Sequence, residues 1–166
     1  MAKTKGLKKV TQKRLPPALL PFQLAELILV KSSSSREGVM GGQPPPGHIV
    51  VSMQLSAGIN EDAHALGALF EIAVIAKYEP EEAEPALQIF GQFKLGYKFE
   101  KSIAGIDHDI LTKFLMKIGG VHVWPYWREL VQSTTLKMGL PALKMPLTFE
   151  MDGDAPIVKA PPGQKF

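Results

Sequence analysis

The four histidines, His48, His64, His108 and His122, are the side chains best suited to metal binding or general acid–base work, and no cysteine is available to join them. No two of them stand four apart, the spacing that sets a pair on one helix face, so they form no zinc motif. Asp107, His108 and Asp109 have the composition of a catalytic fragment. Neighbours at a helix start point in different directions, however, and carboxylates there answer the helix dipole and cap free N–H groups. Glu61, Asp62 and the glutamates between 79 and 84 fall in turn-like stretches, where solvation accounts for them better than acid–base pairing. The stretch 41–47 lacks the Gly-Lys-Ser/Thr ending and strand-to-helix setting of a phosphate cradle. The serines at 32–35 lack the sharp elbow and the base that activate a nucleophile. The polar residues thus point away from an enzyme and ask for neither a metal nor a cofactor.

What stands out instead is apolar. Trp124, Tyr126 and Trp127 cluster, and large aromatics recur along 87–99. The elements that must position them follow from periodicity. Residues 22–31 are apolar on both alternate sets, as expected of a strand covered on both faces. Residues 32–47, with the serine run and Pro44, Pro45 and Pro46, read as a long connection, and that length suggests a crossover rather than a hairpin. In 49–56, Val51, Met53 and Leu55 alternate with Ser52, Gln54 and Ser56, the pattern of a half-buried strand. Alternation returns over 69–78, stops at a Glu- and Pro-rich turn over 79–85, and is longest over 87–99, where Leu87, Ile89, Phe93, Leu95, Tyr97 and Phe99 share one face.

After Ile106 the period changes to that of a helix. Ile110, Phe114, Leu115 and Ile118 mark a face buried in the core or between subunits, Asp107 or Asp109 caps its start, and Gly119-Gly120 reads as its stop. A second helix is expected from Pro125, with Trp127, Leu130, Val131, Thr134 and Met138 on one face and a glycine-type end at Gly139. The fold class is therefore α+β: a four-stranded antiparallel sheet with one wet face, followed by a long helix broken in the middle and packed on one face.

Length and composition fit one domain: 166 residues, 45% hydrophobic and 21% charged. The chain divides into a basic arm at 1–17, a folded domain at 18–150 and a proline-rich tail at 151–166. Of the net +3, residues 1–36 contribute +7 through eight bases and one acid, which leaves −4 for the rest. Such an arm suits a solvated tail or a contact with nucleic acid, ribosome or acidic lipid. The most apolar early stretch, 18–30, is interrupted by Pro21 and Glu26 and falls short of the roughly twenty residues of a membrane span. Nothing at the start reads as a secretory signal, and the lack of cysteine suits a reducing compartment, so a cytoplasmic protein is expected.

Three stretches resemble the SecB protein-export chaperone family. Ser102-Ile103-Ala104-Gly105-Ile106 resembles the family's strand-to-helix junction. Pro125, Tyr126, Arg128 and Glu129 match its Pro-Tyr-x-Arg-Glu helix signature, and Gly139, Pro141, Leu143, Pro146 and Phe149 match the exit that follows. The order and spacing agree, and Phe22-Gln23 opens the first strand similarly, so the likeness covers roughly residues 20–150. It implies an ATP-independent chaperone that binds unfolded polypeptides in apolar grooves, assembled as a tetramer from a dimer of dimers. Two features depart from the family. Residues 151–166 show no period for the further helix and tail that engage the SecA motor, and the N-terminal arm is basic rather than acidic. SecA engagement stays open, and control of a toxin–antitoxin pair stands beside export. The competing reading is a nucleic-acid- or ribosome-associated scaffold that binds through its basic arm.

On the chaperone reading, client binding is expected at Val51, Met53 and Leu55 as an apolar floor, with Trp124 and Trp127 as a wall beside it. Met53 suits the task because its unbranched, polarisable side chain adapts to many partners.

Overall fold

Period-two patterning becomes four long strands in the structure, a computed structural model that describes residues 17–37, 48–59, 64–78, 84–145, 150–152 and 155–157. The strands are β1 (Phe22–Arg36), β2 (His48–Ile59), β3 (Ala65–Lys77) and β4 (Leu87–Phe99). They form one antiparallel sheet in the order β1-β4-β3-β2. The chain thus crosses from one edge of the sheet to the other between β1 and β2, as the long connection suggested. Burial alternates along β4 and β3: Leu87, Ile89, Phe93, Leu95, Tyr97 and Phe99, with Leu66, Phe70, Ile72 and Val74, face the core. The opposite face carries Gln88, Lys94 and Lys98 of β4 in solvent.

Two expectations about the strands are corrected. The serine run does not begin a loop: Ser32 to Ser35 pair with Gly91 to Gln88, so β1, not β4, is the longest strand. Serine is permissive rather than strand-breaking, and β4 offers a backbone partner as far as Leu87, so the ladder continues. Nor is β1 covered on both faces. It is an edge strand, with register shifts at Ala25 and Val30, and Leu24, Ile28, Leu29 and Val30 are between 36% and 53% exposed.

The helices are α1 (His108–Phe114) and α2 (Gly120–Lys137). Asp107 caps α1, its Oδ1 accepting from the Asp109 N–H at 2.7 Å. Gly119-Gly120 was read as a stop, but the chain passes through it in a π-helical turn over Leu115–Gly119 and continues as α2. Both glycines hold right-handed helical dihedrals, so neither is used for its freedom at positive φ. Gly119 serves close approach instead: a Cβ there would stand 2.7 Å from Cζ of the buried Phe70 ring. The second helix accordingly starts at Gly120 rather than near Pro125, which lies inside it at an exposed position, where water can serve the carbonyl its ring cannot reach.

The end of α2 is as read from the sequence. Gly139 has φ +72°, its N–H bonds to the Leu136 carbonyl, and the Leu140 N–H bonds to that of Thr135, two bonds that satisfy free carbonyls at the terminus. Arg36, at the end of β1, donates a guanidinium N–H to the Met138 carbonyl and so ties this helix end to the sheet. Thr135 is buried; its Oγ1 accepts from the Leu143 N–H at 3.2 Å, holding the exit segment, where Leu143 and Met145 are also buried. Beyond it, the tail read as patternless contains two short paired strands, β5 (Glu150–Asp152) and β6 (Ala155–Ile157). The arm at 1–16 and the turn residues 79–83 lie outside the described residues.

The core centres on Phe114, whose ring meets those of Phe22, Tyr97 and Phe99 at 5.1, 5.5 and 5.9 Å. Leu115 is likewise fully buried, Ile118 half-buried, and Ile110 is 39% exposed, so the expected helix face is closed in its middle, partly covered at Ile118 and open at Ile110. Tyr97 is buried, and its Oη shares a hydrogen bond of 2.8 Å with Nδ1 of His122.

Replacing Phe114 by Ala is expected to cost about 3–5 kcal/mol in denaturant unfolding, whereas Ile110→Ala costs under about 1 kcal/mol. Burial pushes the Tyr97 phenol well above its ordinary value of 10.0. Above about pH 10 the unfolded chain loses this proton while the folded chain keeps it, so stability falls by up to about 1.4 kcal/mol per pH unit. Tyr97→Phe should remove that share of the alkaline slope, measured as the difference between the two proteins' unfolding free energies from pH 9 to 11.

Candidate functional site

How far the helices cover the sheet decides which apolar residues remain available. Gly91 lets α2 come down on β4: a Cβ there would meet Leu130 Cδ2 and Trp127 Cζ3, both at 3.0 Å. Gly119 brings the π-helical turn onto Phe70 of β3. The helical layer therefore presses on the two central strands, and their inward side chains are almost completely enclosed. β2 lies at the margin of this cover. Ile49, Val51, Met53, Leu55 and Ala57 point to the core side and pack against it, yet all five remain only half-buried. At about 3.4 Å per residue the strip from Ile49 to Ala57 is roughly 27 Å long. Its other face is wet, with Ser52, Gln54 and Ser56 exposed.

The expected floor of Val51, Met53 and Leu55 is thus brought together as the middle of a longer strip, to which Ile49 and Ala57 belong by the same alternation. The expected wall is not beside it at the surface. Trp124 and Trp127 are 2% and 0% exposed, and Trp127 sets its ring edge-on to Phe93 at 6.5 Å. The pair sits on the face of α2 that meets the sheet; Tyr126, which faces away from it, is the exposed aromatic of the cluster. Periodicity already set Trp127 on the packed face of the helix, but Trp124 fell outside a helix whose start was set at Pro125 instead of Gly120.

A second apolar surface was missed because its strand read as fully covered. Leu24, Ile28, Leu29 and Val30 of β1 are exposed along an edge that has no strand beyond it among the described residues. The neighbouring wet face is knitted by polar pairs: Glu26 to Lys94 at 3.1 Å, and the Gln92 amide donating to Glu71 at 2.8 Å. The Glu26 pair is solvent-exposed enough to contribute little stability.

Two small depressions lie among the described residues. A depression of about 240 Å³ lies among Pro21, Phe22, Gln23, Lys98, Phe99 and Glu100. Another of about 140 Å³ lies beside Gln54, Glu71 and Phe90. Both fall below the roughly 300–1,000 Å³ usual for ligand pockets. Among the described residues no three His, Asp or Glu side chains gather where they could hold a metal. Of the candidate acid–base groups, Asp107 is engaged as a cap and His122 with Tyr97. No helix among the described residues is long and apolar enough to cross a membrane.

Comparison with known proteins gives no match to a protein-family model and none to a curated sequence. Among solved structures, the chain is similar to the Mycobacterium tuberculosis Rv1957 SecB-like chaperone, determined in complex with a ChAD peptide from the Rv1956 HigA1 antitoxin. The TM-score is 0.58 at 13% identity, over 76% of this chain and 90% of that one. A protein of unknown function from Streptococcus agalactiae aligns over 76% of this chain and 97% of its own, at 9% identity and a TM-score of 0.40. The sheet, the helix laid across it and the first of these likenesses together establish a SecB-like α+β fold.

Proposed function

We propose that this protein is an ATP-independent holding chaperone, which binds extended, non-native polypeptide along the apolar strip of β2. The observation that carries the reading is the strip itself: five alternating apolar side chains, Met53 at their centre, left half-covered at a sheet margin. Its neighbours in the fold support it, since the similar Rv1957 chaperone was captured with a peptide segment of an antitoxin. That likeness also favours control of a toxin–antitoxin pair over export as the setting. Binding here is non-directional, because apolar burial rewards length of contact rather than a particular sequence. Val51, Met53 and Leu55 are the residues on which it depends; Trp124 and Trp127, enclosed in the core, take no part in the surface.

The working unit is an oligomer, a dimer or a dimer of dimers. β1 supports this, because an edge strand of 15 residues that leaves Leu24, Ile28, Leu29 and Val30 exposed is a template for another chain unless it is covered.

The double variant Met53→Ser/Leu55→Ser should keep its oligomeric mass and melt within a few degrees of the parent, yet lose suppression of aggregation of a chemically denatured protein. A folded variant that holds clients undiminished would place the site elsewhere. Deleting residues 1–14 should leave holding intact; binding that vanishes with the arm and falls steeply with salt belongs to a nucleic-acid-binding protein. Native mass spectrometry at micromolar concentration should give a dimer or tetramer, and Ile28→Lys/Val30→Lys should shift it toward monomer.

A further inference from the structure

β2 is the second edge of the sheet: it is laddered to β3 on one side, and no described strand is hydrogen-bonded to it on the other. Its neighbourhood is nevertheless occupied. β5 and β6 form a separate two-stranded unit, and the Cα atoms of β6 come within 8 Å of those of β2. The chain's own C-terminal hairpin therefore lies against the strand that carries the half-covered strip.

This cover is built to be weak. β6 is three residues long, and its central residue, Pro156, has no N–H, so it can offer at most two backbone donors to any neighbour. β2 by contrast presents 12 residues. A short segment held beside a strand by a tether still competes, because a millimolar-range effective concentration lets even a weak intrinsic affinity give appreciable occupancy. A longer free segment overcomes this by contacting the full length of β2.

We infer that the β5–β6 hairpin is an intramolecular competitor for the client strip, resting against β2 in the empty protein and displaced by an extended segment of about eight residues or more, long enough to run from Ile49 to Ala57. The inference rests on the holding function proposed above and adds its regulation: short peptides fail to displace the hairpin, and long unfolded segments succeed.

Two full-length variants test it in opposite directions. Ala155→Pro/Ile157→Pro removes both remaining donors of β6 and should free the strip. Pro156→Val restores a donor and adds a residue suited to strands, and should hold the cover more firmly. The probe is reduced, carboxymethylated α-lactalbumin, which stays unfolded without denaturant. Its Kd is expected to fall about 3- to 10-fold for the double-proline variant and to rise for Pro156→Val, as the competent fraction rises and falls. In the absence of probe, amide exchange along β2 should be faster in the double-proline variant than in the parent. Equal affinities for all three proteins overturn the proposal. So does weaker binding by the double-proline variant at an unchanged melting temperature, which would make the hairpin part of the binding surface. If the parent and both variants fail to bind the probe, the holding function itself falls, and the inference with it.

Discussion

The close contact of the helical layer with the sheet at two glycines governs everything else in this fold. Where Gly119 meets Phe70, helix and strand approach nearer than a Cβ would allow, and where Gly91 meets Leu130 and Trp127 a Cβ would fit only if these side chains gave way. That closeness seals β4 and β3 and concentrates the large aromatics, Phe70, Phe93, Tyr97, Phe114 and Trp127, in one enclosed core. A helix pressed onto the centre of a sheet cannot also reach its margins. The half-covered strip on β2 and the bare edge of β1 are therefore geometric consequences of how well the centre is packed.

A surface of this kind has definite energetic limits. Burying on the order of 300 Å² of client apolar surface is worth roughly 7 kcal/mol at 25 cal/mol per Å². Ordering eight client residues costs about 1 kcal/mol or more each in backbone entropy alone. One strip thus binds weakly at best. Useful affinity needs several strips engaged by one long chain, so that later contacts form at high effective concentration. The apolar edge of β1 gains its meaning here, because a second copy seated on it would multiply the strips presented to one client.

Much of this architecture was legible in the sequence. Alternation alone identified the buried faces of β3 and β4 and the half-burial of Val51, Met53 and Leu55, because period two maps directly onto the sides of a sheet. Asp107 and Gly139 gave the helix ends, since capping chemistry is local. What could not be read depended on long-range proximity. Gly119-Gly120 carries the same letters whether it ends a helix or lets one touch Phe70, and only the position of the sheet decides. The serine run joined β1 because β4 lay beside it, and the burial of Trp124 and Trp127 followed from a helix that starts five residues before Pro125. The pairing of β5 with β6 had no periodic signal at all, being three residues on each side.

The two sheet edges present the same hazard and differ in what lies next to them. β1 has alternating apolar residues on both faces, bulges at Ala25 and Val30, and no described segment of its own chain across its outer edge. An edge so extensive is a template for pairing unless it is covered, and an identical strand related by symmetry would match it in length and chemistry. β2 packs one apolar face toward the core, carries Ser52, Gln54 and Ser56 with the exposed Val50 on the other, and has β6, a three-residue strand with a central proline, near it. The two edges are thus unequal: one is long, apolar over its first half and without a described strand beyond it, and the other lies next to a segment too short for a long ladder.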